Sequence, residues 1–334
     1  MENSIYKFKK EIFKINTYEQ FQKLAIEIFR FQAKYNPIYS KFIKLLGINP
    51  EKITKIRNIP FLPIEFFKTK RIITLHYNLP DNKFTIFKSS GTTSMIRSKH
   101  YVYDIELYKK SFLQTFENFI GKPQEMVIFA LLPSYIERRD SSLVFMVNEL
   151  IKKSEKGSGF YLYNYAELKK NILKKLSENK KILLFGVSFA LLEMAKKYPT
   201  NFNNRVMIME TGGMKGKTEE ITREELHNEL KKAFKVNEIY SEYGMTELLS
   251  QSYSLANGIF KSPKWKKVLI RDINDPFYIL PENKVGGINI IDLANLYSCS
   301  FIATADLGKI NSEGFQILGR FDNSDIRGCN LLAV

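Results

Sequence analysis

Residues 126–153 read MVIFALLPSYIERRDSSLVFMVNELIKK. An unbroken apolar run comes first, then a polar break, then a stretch whose apolar residues return at helical spacing. A run with no polar face cannot lie half in water, so MVIFALL (126–132) predicts a strand covered on both sides. SSLVFMVNELIKK (141–153) predicts a helix that covers it. The same rhythm extends both ways along the chain. FTIF (84–87), KILLFGV (181–187), VMIME (206–210) and EIYSEYG (238–244) read as strands. DIELYKKSFLQTFENFI (104–120), YAELKKNILKKLSE (165–178) and TEEITREELHNELKKAF (218–234) read as the helices between them. This alternation predicts an α/β domain with substantially parallel, buried sheets flanked by helices.

Upstream, apolar residues from Tyr18 to Leu46 recur at helical spacing with Pro37 interrupting them, which predicts a helical N-terminal section. Past residue 255 the rhythm changes. KKVLIRDI (266–273), GGINIIDL (286–293), CSFIATADL (299–307) and GFQILGR (314–320) succeed one another with Gly, Pro and Asn punctuation and no helix between. A small β-rich subdomain is expected there. The division is therefore 1–254 for the helical section and α/β core, and 255–334 for the β-rich subdomain with a short C-terminal tail.

Composition narrows the function. Hydrophobic residues make up 44% of 334, enough for a sizeable core. The apolar runs are far shorter than the roughly 20 residues of a membrane helix, and MENSIYKFKKEIF lacks the apolar centre of a secretion signal. A soluble, cytoplasmic protein with no transmembrane segment is expected. Cys299 and Cys329 have no CxxC spacing, and His76, His100 and His227 form no metal-ligand pair, so neither zinc site nor disulfide framework is indicated. Lys and Arg outnumber Asp and Glu by 51 to 35, a net +16 that attracts acidic partners. The basic residues are dispersed and no nucleic-acid-binding motif is present, so no nucleic acid is expected. The densest cluster, KSPKWKK (261–267), reads as a solvated strand face or as a docking point for an acidic partner, with Trp265 as packing.

One loop is chemically unusual. KSSGTTSMIR (88–97) sets small hydroxylated residues around a glycine between basic residues. Glycine lets a backbone approach a ligand, and hydroxyl and N–H donors suit phosphate oxygens, although GxxxxGK[ST] is absent. An ordinary surface turn fits the same letters. Further on come METGGMKG (209–216), YSEYGMTE (240–247), TADLG (304–308) and GRFDNSD (319–325), in that order. Together these resemble the ordered motifs of the adenylate-forming enzymes: acyl-CoA synthetases, peptide-synthetase adenylation domains and luciferase. Within that superfamily, IPFLPIEFFK (59–68), FKSSGTTS (87–94), LLPSYIERRDSSL (131–143), TGGMKG (211–216), WKKVLIRDINDPF (265–277) and GRFDNSDIRGCNLL (319–332) resemble acyl-protein synthetases of the LuxE type. Phenylacetate-CoA ligases are relatives of that group.

The resemblance implies an adenylate-forming large domain that uses ATP and Mg2+ to activate a carboxylic acid, by family analogy a fatty acid. It implies that Ser89, Ser90, Gly91, Thr92 and Thr93 cradle the phosphates and that Gly212 and Gly213 lie against adenine. Tyr243 would stack on the base, Thr246 reach the α-phosphate, Glu247 hold Mg2+, and Asp306 and Arg320 bind the ribose or phosphate. An acylated cysteine near the C-terminus is implied as well, and Cys329 in RGC is the matching position. An acyl reductase or acyl carrier protein would be the partner; CoA ligation of the phenylacetate type, or a non-catalytic basic binding protein, are the alternatives.

Plainer roles stand beside these. Glu247 could begin a helix in ELLSQSY (247–253), Tyr243 could be core, and Asp306 with Arg320 could be turn residues or an ion pair. Tyr135 and Phe129 could line an acyl pocket or pack the core, and His76 and His100 read as structural or solvated. Only 14 residues follow Arg320, so the mobile C-terminal domain of many adenylate-forming enzymes is expected to be absent, as in the LuxE-type pattern. Charge developing on phosphate would then be met from the main domain, with Arg97, Lys99 and Lys215 as candidates and Lys215 the catalytic one.

Overall fold

A computed structural model describes residues 2–90, 96–132, 140–212 and 221–321. The N-terminal section is helical: α1 (Glu2–Glu11), α2 (Tyr18–Tyr35) and α3 (Pro37–Leu45). Thr17 and Gln20 form a reciprocal capping box that starts α2. Asn36 alone separates α2 from α3; its side chain accepts from Tyr39 N, and Pro37 occupies the first turn, where its missing N–H leaves nothing unpaired. The break expected at Pro37 is thus a tight corner between two helices.

The chain continues as β1 (Leu62–Pro63), α4 (Phe66–Thr69), β2 (Thr85–Lys88), β3 (Lys99–Val102), α5 (Ile105–Phe119), β4 (Val127–Leu131), α6 (Ser142–Lys153), β5 (Gly159–Tyr161), α7 (Tyr165–Ser177), β6 (Ile182–Val187), α8 (Ser188–Lys197), β7 (Val206–Thr211), α9 (Arg223–Phe234) and β8 (Tyr240–Tyr243). Strands β5, β4, β6, β7 and β8 lie side by side in that order, all parallel. Every residue of β4 and β6 is buried, as their unbroken apolar sequences require. FTIF is different: β2 pairs antiparallel with β3 in a separate two-stranded sheet, with Thr85 exposed and Phe87 buried. Several short elements escape the sequence reading, β1, α4, β3, β5, β9 and β10 among them, and so does α8, which follows β6 without a turn so that its apolar face merges with the strand's.

After β8 the pairing reverses. β9 (Ser252–Ser254) runs antiparallel to β8, followed by β10 (Phe260–Lys261), β11 (Lys266–Arg271), β12 (Gly286–Asp292), β13 (Phe301–Asn311) and β14 (Gly314–Arg320). These add antiparallel strands to the same sheet, which among the described residues has 12 strands and the path β11-β12-β13-β14-β10-β9-β8-β7-β6-β4-β5, with β1 alongside β13. The β-rich stretch expected after residue 255 is therefore hydrogen-bonded continuously to the parallel strands.

The chain leaves β4 for β5 on one side and returns to β6 on the other. Such a reversal opens a crevice at the carboxyl ends of the strands, where α/β sheets bind their ligands. Among the described residues, no helix is long and apolar enough to cross a membrane.

The N-terminal helices are pinned to the far end of the chain by polar contacts. Gln32 is fully buried, donates to the carbonyls of Asn295 and Leu296 (both 3.0 Å) and accepts from Ser300 N at 2.9 Å. Asn36 donates to Ser298 O at 3.0 Å. Gln32→Leu keeps the volume but leaves Leu296 O and Ser300 N without a partner, while Asn295 O retains Ser298 N. It should lower stability by at least about 2 kcal/mol, read as a lower urea midpoint with an unchanged m-value.

Candidate functional site

β8 ends at Tyr243, and the next residues turn rather than continue. Gly244 through Gln251 form an irregular segment in which Leu248 N closes a turn onto Met245 O. No helix begins at Glu247. The segment is held by side chains distant in sequence. The buried carboxylate of Asp292, at the end of β12, accepts from Leu249 N, Ser250 N, Ser250 Oγ and Ala294 N. Lys266 Nζ donates to Ser250 O at 2.9 Å, and Trp265 Nε1 donates to Ser250 Oγ at 3.0 Å. His100 Nδ1 donates to the carbonyl of Thr246 (2.8 Å), its Nε2 lies 3.0 Å from Asn295 Oδ1, and Asn295 Nδ2 donates to the carbonyl of Glu247 (2.8 Å). Thr246 and Glu247 therefore have their backbones clamped from β3 and from the 295 loop.

Glu247 is 5% exposed. Burial pushes its carboxyl above the usual carboxylate range, opposed by hydrogen bonding from the Ser98 side chain and by the charge of Arg320. Ser98 in turn closes the neck of the SSGTTS loop: its N–H donates to Ser89 Oγ at 2.9 Å, and Ser89 N donates to Ser98 O at 3.1 Å. Ser90 follows, half-buried at the loop mouth. Gly91, Thr92 and Thr93 lie outside the described residues.

Tyr243, Asp306 and Arg320 form one network. Tyr243 Oη donates to Asp306 Oδ2 at 2.7 Å, and Arg320 Nε lies 3.1 Å from Asp306 Oδ1 across the β13–β14 register pair. Asp306 is 6% exposed, whereas the Arg320 side chain is 60% exposed. Tyr243 packs edge-on against Phe260 and Phe315, and its phenol is pushed well above its usual value by burial and by Asp306. It is thus part of the core as well as of the polar network, and Asp306 and Arg320 do form an ion pair.

Gly212, just past β7, has a left-handed backbone (φ +73°) with open space where a Cβ would lie, and its carbonyl accepts from Ser188 Oγ at 2.9 Å. Gly213, Lys215 and Tyr135 lie outside the described residues, as does Cys329. Phe129 is fully buried in β4 and packs edge-on against Tyr161, so it belongs to the core.

Among the proposed phosphate cations, Arg97 is already engaged. Its Nη atoms hold Asp140 bidentately (both 3.1 Å), and Nε donates to Ser89 O at 2.5 Å. Lys99 is exposed at the start of β3.

Two buried groups were misread or passed over in the sequence, and a third, His100, takes the structural of its two readings. Lys266, read as part of a solvated face, is 4% exposed and stands 5.3 Å over the Tyr243 ring. The signal was the alternation of KKVLIR, which puts Lys266 on the inward side with Val268 and Ile270. His100 is 1% exposed, and Glu242 is 7% exposed beside Tyr243. Burial pushes Glu242 up to about 7 and Lys266 down to about 8.

No protein-family model matches the chain, and no curated protein matches it by sequence. Solved structures do. A 2-hydroxyisobutyryl-CoA ligase in complex with 2-HIB-AMP and CoA superposes with a TM-score of 0.67 over 92% of this chain and 72% of its own, at 11% identity. The fold is that of adenylate-forming ligases. ATP-bound MatB from Rhodopseudomonas palustris gives 0.54 over 73% of this chain and 49% of its own, at 16% identity. O-succinylbenzoate coenzyme A synthetase (MenE) from Bacillus subtilis, in complex with AMP, gives 0.51 over 72% and 49%, also at 16%. This chain spans about half the length of those last two.

The His100 clamp has a pH signature. Burial pushes the imidazole down to about 4, against the opposing pull of the Thr246 carbonyl and Asn295. In the unfolded chain it titrates near 6.5, so between roughly 6.5 and 4 the unfolded state binds the extra proton and stability falls as pH falls. His100→Gln removes this contribution. Across that window the wild type should lose roughly 2–3 kcal/mol relative to the variant, measured by denaturant unfolding at several pH values.

Proposed function

We propose that this protein activates a carboxylic acid with ATP, forming an acyl adenylate. A carboxylate oxygen would bond to the α-phosphorus as the bond from that phosphorus to the β-phosphate oxygen breaks and pyrophosphate leaves. The observation that carries the reading is the convergence of Tyr243, Asp306, Arg320, Thr246 and Glu247 around the turn that follows β8, with the Ser89 loop neck reaching Glu247 through Ser98, in a sheet with the adenylate-forming fold.

Each side chain has a chemically suitable part. Asp306 already takes Tyr243 and Arg320, and a carboxylate has further lone pairs for ribose hydroxyls. The exposed guanidinium of Arg320 retains donors for ribose or phosphate. Gly212 and Gly213 would offer backbone to the base, with Tyr243 beside it. The hydroxyl loop from Ser89 to Thr93 would donate to phosphate, as would Thr246. Among the described residues no ion pair reaches the Glu247 carboxyl, which is buried beside the loop neck. One such carboxylate, completed by phosphate and water oxygens, is a donor set that suits Mg2+. Bound there, the ion would offset negative charge on the phosphates.

For the second step we favour transfer to a thiol of the enzyme, as in acyl-protein synthetases: the sulfur bonds to the acyl carbon as its bond to the phosphate oxygen breaks, AMP and the thiol proton leave, and the acyl group passes onward to an acyl reductase or acyl carrier protein. Of the two cysteines, Cys299 is fully buried and its thiol is pushed up to about 12 by that burial, so it supplies no thiolate. Cys329 is left as the candidate, with Arg327 two residues away. Transfer to CoA is the second reading, and the CoA bound in the 2-hydroxyisobutyryl-CoA ligase structure favours it.

Acid-dependent exchange of labelled pyrophosphate into ATP tests the first step, and its absence with every acid tried would sink the reading. Glu247→Gln should reduce exchange by about a hundredfold, the scale of one lost charge-stabilising contact, with an unchanged far-UV spectrum. For the second step, Cys329→Ser should still exchange pyrophosphate but fail to retain a hydroxylamine-sensitive acyl label that Cys299→Ser retains. Equal labelling of the two variants, with product formed from CoA alone, would favour CoA ligation.

A further inference from the structure

The face of β8 turned away from Tyr243 carries an unusual buried row. The register places Thr211, Glu242 and Tyr253 opposite one another across β7, β8 and β9, so their side chains share one side of the sheet. Helix α5 covers that side: Phe116 and Phe119 lie 6.2 and 6.0 Å from the Tyr253 ring. Such a position would ordinarily be filled with apolar residues. Instead Glu242 accepts from Thr211 Oγ1 at 2.5 Å through Oε2 and turns its other oxygen along the strand, over Gly244. A Cβ on Gly244 would sit 2.5 Å from Glu242 Oε1 and 3.5 Å from Gln251 Cγ, so the two side chains flank this glycine. They lie at the carboxyl end of β8, next to the turn bearing Thr246 and Glu247.

Their hydrogen bonding is incomplete. Among the described residues no donor reaches Glu242 Oε1, and neither Gln251 Oε1 nor Tyr253 Oη has a partner, although Gln251 and Tyr253 are 3% and 1% exposed. The nearby ammonium of Lys266 is committed to Ser250 O. Gln251 Oε1 is an acceptor, as is Glu242 Oε1 when the carboxyl is ionised, and the phenol can be one. A plain hydrocarbon chain laid here would leave them without donors and remove what water reaches Glu242. A hydroxyl or amino group would supply what they lack.

We infer that the acid activated at this site carries a hydroxyl or amino group that donates to Glu242 and Gln251, in place of the unsubstituted fatty acid that the sequence resemblance implies. This rests on the adenylate-forming reading above. The test is pyrophosphate exchange by the wild-type protein with matched pairs of acids of increasing length, each pair one unsubstituted acid and its hydroxy or amino counterpart. Substituted acids should be preferred in kcat/KM by about tenfold or more, the discrimination expected when a site built to hydrogen-bond a substrate is offered one that cannot. Glu242→Gln, which keeps the volume, should shrink that preference through KM for the acid with little change in KM for ATP. Equal or better use of the unsubstituted acids would overturn the inference and leave acyl-adenylate formation standing. An absence of exchange with every acid would overturn both.

Discussion

The buried carboxylate of Asp292 is the constraint on which the candidate site depends. A charge in that position is tolerated only if several donors surround it, and they come from the segment that needs fixing: two backbone N–H groups and a hydroxyl of Leu249 and Ser250, with Ala294 N and the Lys266 ammonium nearby. Because the segment after β8 is neither helix nor strand, it cannot satisfy its own backbone. Asp292 supplies acceptors for its N–H groups, Lys266 and Asn295 supply donors for its carbonyls, and His100 closes the set. Thr246 and Glu247 are thereby held at the edge of the sheet by residues up to 146 positions away in sequence.

The same logic explains why the sheet changes character after β8. Parallel strands put their carboxyl ends on one edge, which gives a crevice but few strands from which to build its far wall. The antiparallel strands that follow bring Asp306 and Arg320 against Tyr243, the last residue of the last parallel strand. Tyr243 belongs both to the core and to the candidate site: its ring is packed by Phe260 and Phe315 while its hydroxyl fixes the Asp306 carboxylate. A side chain locked by packing holds its hydrogen-bond partner in place, which is what a binding site requires.

Much of this was legible in the sequence, for identifiable reasons. Fully buried strands have no polar face, so MVIFALL and KILLFGV announce themselves, and the short motif YSEYGMTE drew attention to Tyr243, Thr246 and Glu247, which the fold sets at and just after the end of β8. What was not legible depends on long-range contact. FTIF has the letters of a buried strand, yet it forms a half-exposed hairpin because its partner is KHYV (99–102), which no periodicity identifies. Arg97 looked available for phosphate, but its partner Asp140 is 43 positions away. His100 had no motif to claim it, since its role comes from two carbonyl-bearing segments that meet only in the folded chain. Lys266 could have been found from its alternation with Val268 and Ile270, but it lay in a basic cluster that drew attention to solvent instead.

The central claim is that the Tyr243–Asp306–Arg320 network at the edge of the sheet binds nucleotide. Calorimetric titration of ATP with Mg2+ into the wild-type protein and into Asp306→Asn addresses it directly, because neither the acid nor the final acyl acceptor enters the measurement. The account predicts one saturable site in the wild type, and binding weakened by about tenfold or more in the variant, the scale of one lost charge-assisted hydrogen bond, with the fold intact by circular dichroism. No binding to the wild type, or the same affinity in both proteins, would contradict it.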